Sequence, residues 1–324
     1  MYDLVINSAL DASLLASTSS AATQLAHYTS KTNTGGNNGA ALKIEFDIPA
    51  FCYGDPAGFA SIKVSGVNFA DIRASKNLNG ATLKLQGGMA KGLPLANPSQ
   101  AGLLLAGTVQ QAFGNWQGTE VSLELIVSPK VGTIDQPVNL AYTWAKGDTL
   151  EAMVRQVLGI AYPGSVITGQ FDPRLIYTED APFFYQTMTQ LAQFVLETSR
   201  AIITDKTYLG AQITPTAVGF RLFDGTEKPK AKEIRPVDMV GQPTWLDFGT
   251  LQFKVVLRAD LSVGDIVKLP QGSNVINTAA SFTQYRDTLA FQGEFQITGI
   301  RHLGDSRQPD ANAWVTVVTC VVKS

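Results

Sequence analysis

Strict alternation of apolar and polar residues predicts strands in the first third of the chain. From Leu42 to Ile48 every second residue is apolar, and Pro49 is expected to end this strand. The same period of two returns at Ile62/Val64, at Leu83/Leu85 and from Thr119 to Val127. The turn-forming pieces NLNG (77–80) and GNWQG (114–118) lie between these runs. This region is therefore predicted to be an antiparallel barrel or sandwich.

The middle of the chain changes to a helical spacing. Asp148 stands three residues before Glu151, which is the spacing of a capping box, and Gly159 is expected to end the helix that follows. A second helix is predicted from about Pro182 to Ser199, with Asp180 as its cap. The apolar stripes are Leu150, Val154, Val157 and Leu158 in the first helix, and Phe184, Met188, Leu191, Ala192 and Val195 in the second. Such stripes are typical of core packing.

The chain returns to strands from Trp245. Alternation predicts strands over 251–257 and 266–269, joined by the turn ADLSVGD, and a last pair over 291–302 and 314–322. The final strand is apolar on both faces and is therefore expected inside the sheet.

The expected fold class is mainly β with a smaller α/β part. An N-terminal antiparallel β-barrel domain is predicted over residues 1–130, an α/β middle domain with two main helices over 131–244, and a small C-terminal β-barrel over 245–324. The residues do not fix these bounds, and they do not tell whether the middle domain is an insertion.

Composition and charge exclude several classes of protein. Charged residues make up 16% of the 324 residues and the net charge is −2, so the basic footprint that phosphate contacts require is missing. No run of apolar residues is long enough to span a membrane, and no basic residue precedes Lys31, so neither membrane insertion nor a signal peptide is expected. Cys52 and Cys320 are expected to be free thiols in a reducing compartment.

The common catalytic signatures are missing from the sequence. The patterns HExxH, GxSxG, GxxxxGK[ST] and GxGxxG do not occur, and the only histidines are His27 and His302. His302 and Cys320 fall on strands that could be neighbours, but a buried cysteine is usually inert. We therefore expect no enzyme, no catalytic or metal-binding residues and no cofactor.

Two groups of charged residues are interpreted as solvated surface. Glu45/Asp47 and Glu120/Glu124 lie on the polar faces of strands. The single basic cluster is Lys228, Lys230, Lys232 and Arg235, diluted by Glu227 and Glu233. A solvated loop is favoured there over an anionic docking patch, because no aromatic residues are interleaved.

The stretch from Gly87 to Leu125, GGMAKGLPLANPSQAGLLLAGTVQQAFGNWQGTEVSLEL, resembles the N-terminal β domain of baseplate hub proteins of contractile-tailed bacteriophages. The helical piece LAQFVLETSR (191–200) and the C-terminal pieces RADLSVGDIVKLP (258–270) and FQITGIRHLGDSRQPDANAWVTV (295–317) are similar to those of such hubs in the same order. In the GNWQG piece, Asn115 and Trp116 are expected to serve architecture, with Trp116 packed over a barrel end or into a partner.

The resemblance implies a homotrimer whose subunits each carry two tube-like barrels. Such a hub meets a hexameric tail tube protein, a central spike protein and baseplate wedge proteins, and DNA passes through its lumen without sequence-specific binding. It is assembled in the bacterial host cytoplasm and located in the virion tail baseplate. Low charge density and slight acidity suit such a channel, because few cations are present to hold phosphates.

A second resemblance competes for residues 141–158. AYTWAKGDTLEAMV (141–154) is similar to the opening of a LysM module, which would make Lys146, Asp148 and Thr149 part of a peptidoglycan-binding loop. The match stops after the first helix, and a capped helix needs no ligand. A peptidoglycan-binding module is therefore the alternative function, and a cell-wall hydrolase is disfavoured by the missing motifs.

Overall fold

A computed structural model describes residues 1–8, 23–50, 52, 59–89, 97–128, 140–205, 208–216, 219–226, 230–247, 249–270, 291 and 293–323. The N-terminal elements are β1 (Tyr2–Asn7), β2 (Gln24–Thr29), β3 (Lys43–Ala50), β4 (Ala60–Ser65), α1 (Phe69–Ala74), β5 (Thr82–Gly87), β6 (Gly102–Gln117) and β7 (Glu120–Ser128). The middle elements are β8 (Leu140–Trp144), α2 (Leu150–Ala161), β9 (Val166–Gly169), β10 (Ala181–Tyr185), α3 (Met188–Ile202), β11 (Gln212–Thr216), β12 (Gly219–Phe223) and β13 (Lys232–Glu233). The C-terminal strands are β14 (Thr244–Asp247), β15 (Thr250–Val256), β16 (Ile266–Lys268), β17 (Glu294–Asp305) and β18 (Trp314–Val322). The predicted fold class, mainly β with a smaller helix-containing part, is confirmed.

One sheet of thirteen strands holds both ends of the chain together. Its main path is β14-β15-β18-β17-β3-β4-β7-β6-β5-β1-β2, with β13 and β16 attached beside β17. β18 lies between β15 and β17, which confirms that the last strand is inside the sheet. The first residues of β17 pair with β16 and its later residues pair with β3. β17 therefore joins the N-terminal strands to the C-terminal strands.

The N-terminal strands curl around a single apolar core. Inward residues of β1, β3, β4, β5, β6 and β7 are buried together, as the alternation predicts. The two sides of the curled sheet meet where the Tyr2 hydroxyl of β1 donates to the Leu42 carbonyl, 2.5 Å away, just before β3. β3 runs through Pro49, where it was expected to end, because Pro49 opposes Arg301 of β17. We call this body the first barrel.

The C-terminal strands form a smaller closed ring, which we call the second barrel. β15, β18, β17, β16 and β13 pair in succession. The segment after β13 returns to β15, where Met239 pairs with Val255 and the Val240 amide donates to the Lys254 carbonyl at 2.9 Å. Its core contains Phe253, Phe295 and Cys320, all buried.

The N-cap of α2 lies one residue later than predicted. Thr149 is the cap, with its hydroxyl accepting from the Ala152 amide at 3.2 Å, and Asp148 does not cap the helix. Glu151 accepts from the Arg155 guanidinium at 2.7 Å and does not reach back to the helix start. Gly159 lies within α2, which ends at Ala161. The capping box and the Gly159 stop were therefore wrong.

α3 also begins later than predicted. Thr187 and Gln190 form its capping box, whereas Pro182 lies in β10, which pairs with β8. Asp180 accepts from the Lys146 amide at 2.7 Å and caps no helix. Phe184 is exposed on β10, but the rest of the predicted stripe (Met188, Leu191, Ala192 and Val195) is buried. These side chains join Trp144 in a core that belongs to the middle part of the chain.

Candidate assembly surfaces and the barrel junction

His302 and Cys320 are not brought together. His302 lies opposite Thr316, and its Nδ1 is 2.9 Å from the Thr316 hydroxyl oxygen, whereas Cys320 lies opposite Ile297. Burial lowers the pKa of His302 to about 4 and raises the pKa of Cys320 to about 12. His302 and Cys320 therefore lie at different positions along the β17–β18 ladder, and His302 is not placed to act as a base that activates the Cys320 thiol as a nucleophile. Cys52 and Cys320 are buried thiols that form no disulfide, as predicted.

The predicted carboxylate pairs lie on one outer face, formed by β3, β4, β7 and β17. Asp47 pairs with Arg301 at 2.5 Å, and Glu120 pairs with Lys63 at 2.9 Å. Lys43 lies 2.6 Å from a Glu45 oxygen, and this hydrogen bond raises the pKa of Lys43. A shallow groove of about 460 Å³ crosses this face. Because these carboxylates have cationic neighbours, the face is an ion-paired surface, and in the described part of the chain no cluster of potential metal ligands occurs.

The basic cluster does not form a patch in the described residues. Lys228 lies outside those residues. Lys232 pairs with Asp265 at 2.7 Å, and Arg235 pairs with Asp238 at 2.8 Å. Lys232 and Arg235 therefore stabilise the second barrel and its surroundings, whereas Lys230 is exposed.

The GNWQG piece carries an exposed aromatic pair. Gly114 to Gln117 belong to β6, and the tight turn begins at Gly118, which has a φ of +59°. Trp116 is 68% exposed and packs edge-to-face against Phe69 of α1, with ring centroids 5.0 Å apart. This pair stands at the tip of the β6–β7 hairpin, where a partner can reach it.

The first and second barrels meet at a junction built from both. Leu257, which follows β15 of the second barrel, is buried in the core of the first barrel. Trp314 at the start of β18 donates from its indole to the Gly88 carbonyl at 3.1 Å and packs against Phe46. The Ala259 amide donates to the Gln100 carbonyl at 2.7 Å. The two barrels therefore share apolar packing as well as the β3–β17 ladder.

A buried ionic network completes the junction. Asp238 is 1% exposed and accepts hydrogen bonds from the Gln100 amide group at 2.9 Å and from Arg235. Burial opposes ionisation of Asp238, but the hydrogen bonds from Arg235 and Gln100 bring its pKa below the ordinary value. Arg258 is buried beside it and binds both carboxylate oxygens of Asp260. The sequence pattern indicated Arg235 only as part of a basic cluster and did not indicate Gln100, Asp238 or Arg258, for which the one local signal was the Arg-Ala-Asp run that follows the 251–257 strand.

The LysM-like segment makes backbone and capping contacts within the chain, and Lys146 and Asp148 are exposed. The Lys146 amide binds Asp180, the Asp148 carbonyl accepts from the Trp144 indole at 3.0 Å, and Thr149 caps α2. After α2 the chain forms β9, which pairs in parallel with β12. The chain therefore continues into a strand after α2, where the LysM resemblance stops.

No helix in the described residues has the length and apolar character needed to cross a membrane. No protein-family model matches the chain, and no curated protein matches its sequence.

Solved structures share the fold. A component of the type VI secretion system of E. coli, described as structurally similar to the T4 bacteriophage tail proteins gp27 and gp5, matches 89% of this chain and 75% of its own, with a TM-score of 0.51 and 11% identity. The 43 kDa tail protein of prophage MuSo2 from Shewanella oneidensis matches 100% of this chain and 99% of its own, with a TM-score of 0.53 and 8% identity. The resemblance to tail and baseplate proteins is therefore confirmed at the level of the fold.

Proposed function

We propose that this protein is a structural hub of a tail baseplate in a phage or phage-like particle. Three copies form a ring that adapts the hexameric tail tube protein above to a trimeric central spike below, with wedge proteins around it. DNA or effectors pass through the lumen without sequence-specific binding. The protein is not an enzyme, and it resides in the virion tail after assembly in the host cytoplasm.

The observation that carries this proposal is the fixed pairing of two β-barrels in one chain. The two barrels are held at one relative orientation by three features: the β3–β17 ladder, Leu257 in the core of the first barrel, and the hydrogen bond from Gln100 to Asp238. Three such chains present six β-barrels, which is the number of contacts that a hexameric tube needs from a trimeric adaptor. The fold shared with tail proteins supports the same role.

A non-catalytic role is supported by the surroundings of the candidate groups. His302 is neutral and buried against Thr316, and the outer carboxylates are held in ion pairs. Neither arrangement places a reactive group beside a base at an open site.

The test is the mass of the purified protein by light scattering, together with negative-stain images of the protein mixed with its tube protein. We expect three chains per particle and rings that cap tube ends. A monomer at high protein concentration, in the presence and absence of the tube protein, would overturn the proposal.

A further inference from the structure

The middle part of the chain, from β8 to β12, has sheets and a core of its own. Its strands form a pair, β8–β10, and a three-stranded sheet, β9–β12–β11, and among the described residues neither joins the thirteen-stranded sheet of the barrels. The buried residues of its core all lie between Trp144 and Leu222. We call this part the middle module. A unit with its own core keeps its fold when it moves relative to the rest of a chain.

β12 joins the middle module to the second barrel, because its two faces are buried in different cores. Phe220 and Leu222 belong to the core of the middle module, whereas Phe223 is buried in the core of the second barrel. Successive side chains of a strand point to opposite faces, so Arg221 and Phe223 share the face that meets the barrel. The Arg221 guanidinium lies 5.9 Å from the centre of the Phe223 ring.

An ion pair fixes this face of β12 to the second barrel. The Arg221 guanidinium donates to an Asp265 carboxylate oxygen at 2.9 Å and to the Val263 carbonyl at 3.3 Å. The other Asp265 oxygen accepts from Lys232 at 2.7 Å. The Asp265 carbonyl accepts from the Ile297 amide of β17 at 2.8 Å. Asp265 is therefore anchored in the second barrel, and Arg221 reaches it from the middle module.

Two further contacts accompany the ion pair. Gly264 has a φ of +90°, and an added Cβ there would lie 2.9 Å from the Phe223 ring, so the ring packs directly on the backbone of the second barrel. The Cys52 thiol, which follows β3, donates to the Gln212 side-chain oxygen of the middle module at 2.8 Å. A thiol is a weak donor, whereas a hydrogen bond between ionised groups is about twice as strong as one between neutral groups. The ion pair is therefore the strongest of these polar contacts.

We propose that the Arg221–Asp265 pair is a latch that holds a movable middle module against the second barrel. With the pair intact, the module keeps one orientation. When the pair is broken, the module moves as a rigid body, because its sheets and core are separate from those of the barrels. This inference goes beyond the proposed hub role and does not depend on the number of chains in the particle.

The test uses R221Q in the full-length chain, with R155Q as its matched control. Loss of the Arg221 charge leaves Asp265 paired with Lys232, so the variant does not bury an unpaired carboxylate. Arg155 also binds a carboxylate at 2.7 Å, but its partner Glu151 belongs to the middle module. Each variant therefore loses one arginine–carboxylate pair, and only R221Q loses a contact with the second barrel.

Spin labels measure the orientation of the middle module. K84C carries one label on β5 of the first barrel, and K146C carries the other in the turn after β8. Both lysines are exposed, whereas Cys52 and Cys320 are buried and do not take the label. Double electron–electron resonance gives the distance between the labels, and singly labelled samples give the part that arises between copies. We expect one narrow distance in wild type and R155Q, and a broad distribution with new distances in R221Q.

A second pair of labels distinguishes movement from unfolding. K146C/E197C carries both labels within the middle module, because Glu197 is exposed on α3. This distance should be the same in wild type and in R221Q. The latch is overturned if the K84C/K146C distances of R221Q match those of R155Q, if wild type is already broad, or if R221Q changes the K146C/E197C distance. The hub proposal is tested separately by particle mass, so either proposal fails without the other.

Discussion

Acid should destabilise the protein through His302. Its side chain is buried between β17 and β18 with the Thr316 hydroxyl as its hydrogen-bond partner, and burial lowers its pKa from 6.5 to about 4. The unfolded chain therefore binds a proton between pH 6.5 and 4 that the folded protein does not bind. The contribution of neutral His302 to the free energy of unfolding is therefore complete above pH 6.5 and is lost as the pH falls toward 4.

The size of the effect follows from the two pKa values. One pKa unit corresponds to about 1.4 kcal/mol, so protonation of the unfolded state at pH 4 lowers the free energy of unfolding by about 3 kcal/mol relative to pH 7. His302→Gln keeps a polar group near Thr316 but does not titrate. The difference in unfolding free energy between wild type and this variant should therefore change by about 3 kcal/mol between pH 7 and pH 4, in favour of the variant at low pH.

Urea unfolding at fixed protein concentration and at several pH values measures this difference. His27→Gln is the control, because His27 is the only other histidine and lies on the exposed face of β2. If wild type and His302→Gln lost stability in parallel from pH 7 to pH 4, the reasoning from His302 burial would be refuted.

Three further variants test local features. Thr149→Ala should lower the free energy of unfolding, measured by thermal unfolding, by about 1 kcal/mol, whereas Asp148→Ala should change it little, because Thr149 caps α2. A larger loss for Asp148→Ala than for Thr149→Ala would restore the capping box predicted from the sequence. Tyr185→Phe should raise the free energy of unfolding by about 1 kcal/mol, because the buried Tyr185 hydroxyl has no hydrogen-bond partner among the described residues. A lower free energy of unfolding in this variant would show that the hydroxyl has a partner. Trp116→Ala should leave the melting temperature within about 2 °C of wild type, because Trp116 is mostly exposed. The same variant should bind less tube protein in pull-downs, and unchanged binding would exclude the Trp116–Phe69 pair as a contact surface.

The strands that could be predicted are those whose alternation is complete. β3 and β7 bury one face and show the alternation of apolar and polar residues that this predicts. β18 is apolar on both faces, which predicts a strand inside the sheet. β6 was not predicted over its full length, because glycines interrupt its pattern. An added Cβ at Gly107 would lie 2.1 Å from the Ser128 carbonyl oxygen, and one at Gly114 would lie 2.4 Å from Ile72. These glycines allow neighbouring chain segments to approach closely, which the apolar period does not reveal.

The helix starts and the junction depend on contacts distant in sequence. Asp148 and Thr149 are both good capping residues, and the Leu175 carbonyl, which accepts from the Leu150 amide at 2.8 Å, helps to select Thr149 as the cap. In the junction, Gln100 and Asp238 come from different parts of the fold, and neither residue has a local pattern that indicates its partner. A single sequence therefore predicts many strands of the two barrels but not how the barrels are joined.

The pairing of β3 with β17 also constrains the order of folding during synthesis. β3 is synthesised long before the strand that completes its outer edge, Glu294–Asp305. Until β17 has been synthesised, the nascent first barrel lacks this strand and exposes an unpaired edge along β3. The first barrel therefore completes its fold only after β17 has been synthesised, and this pairing closes a very long loop, which slows folding. Chains truncated before β17 should aggregate through the unpaired edge of β3.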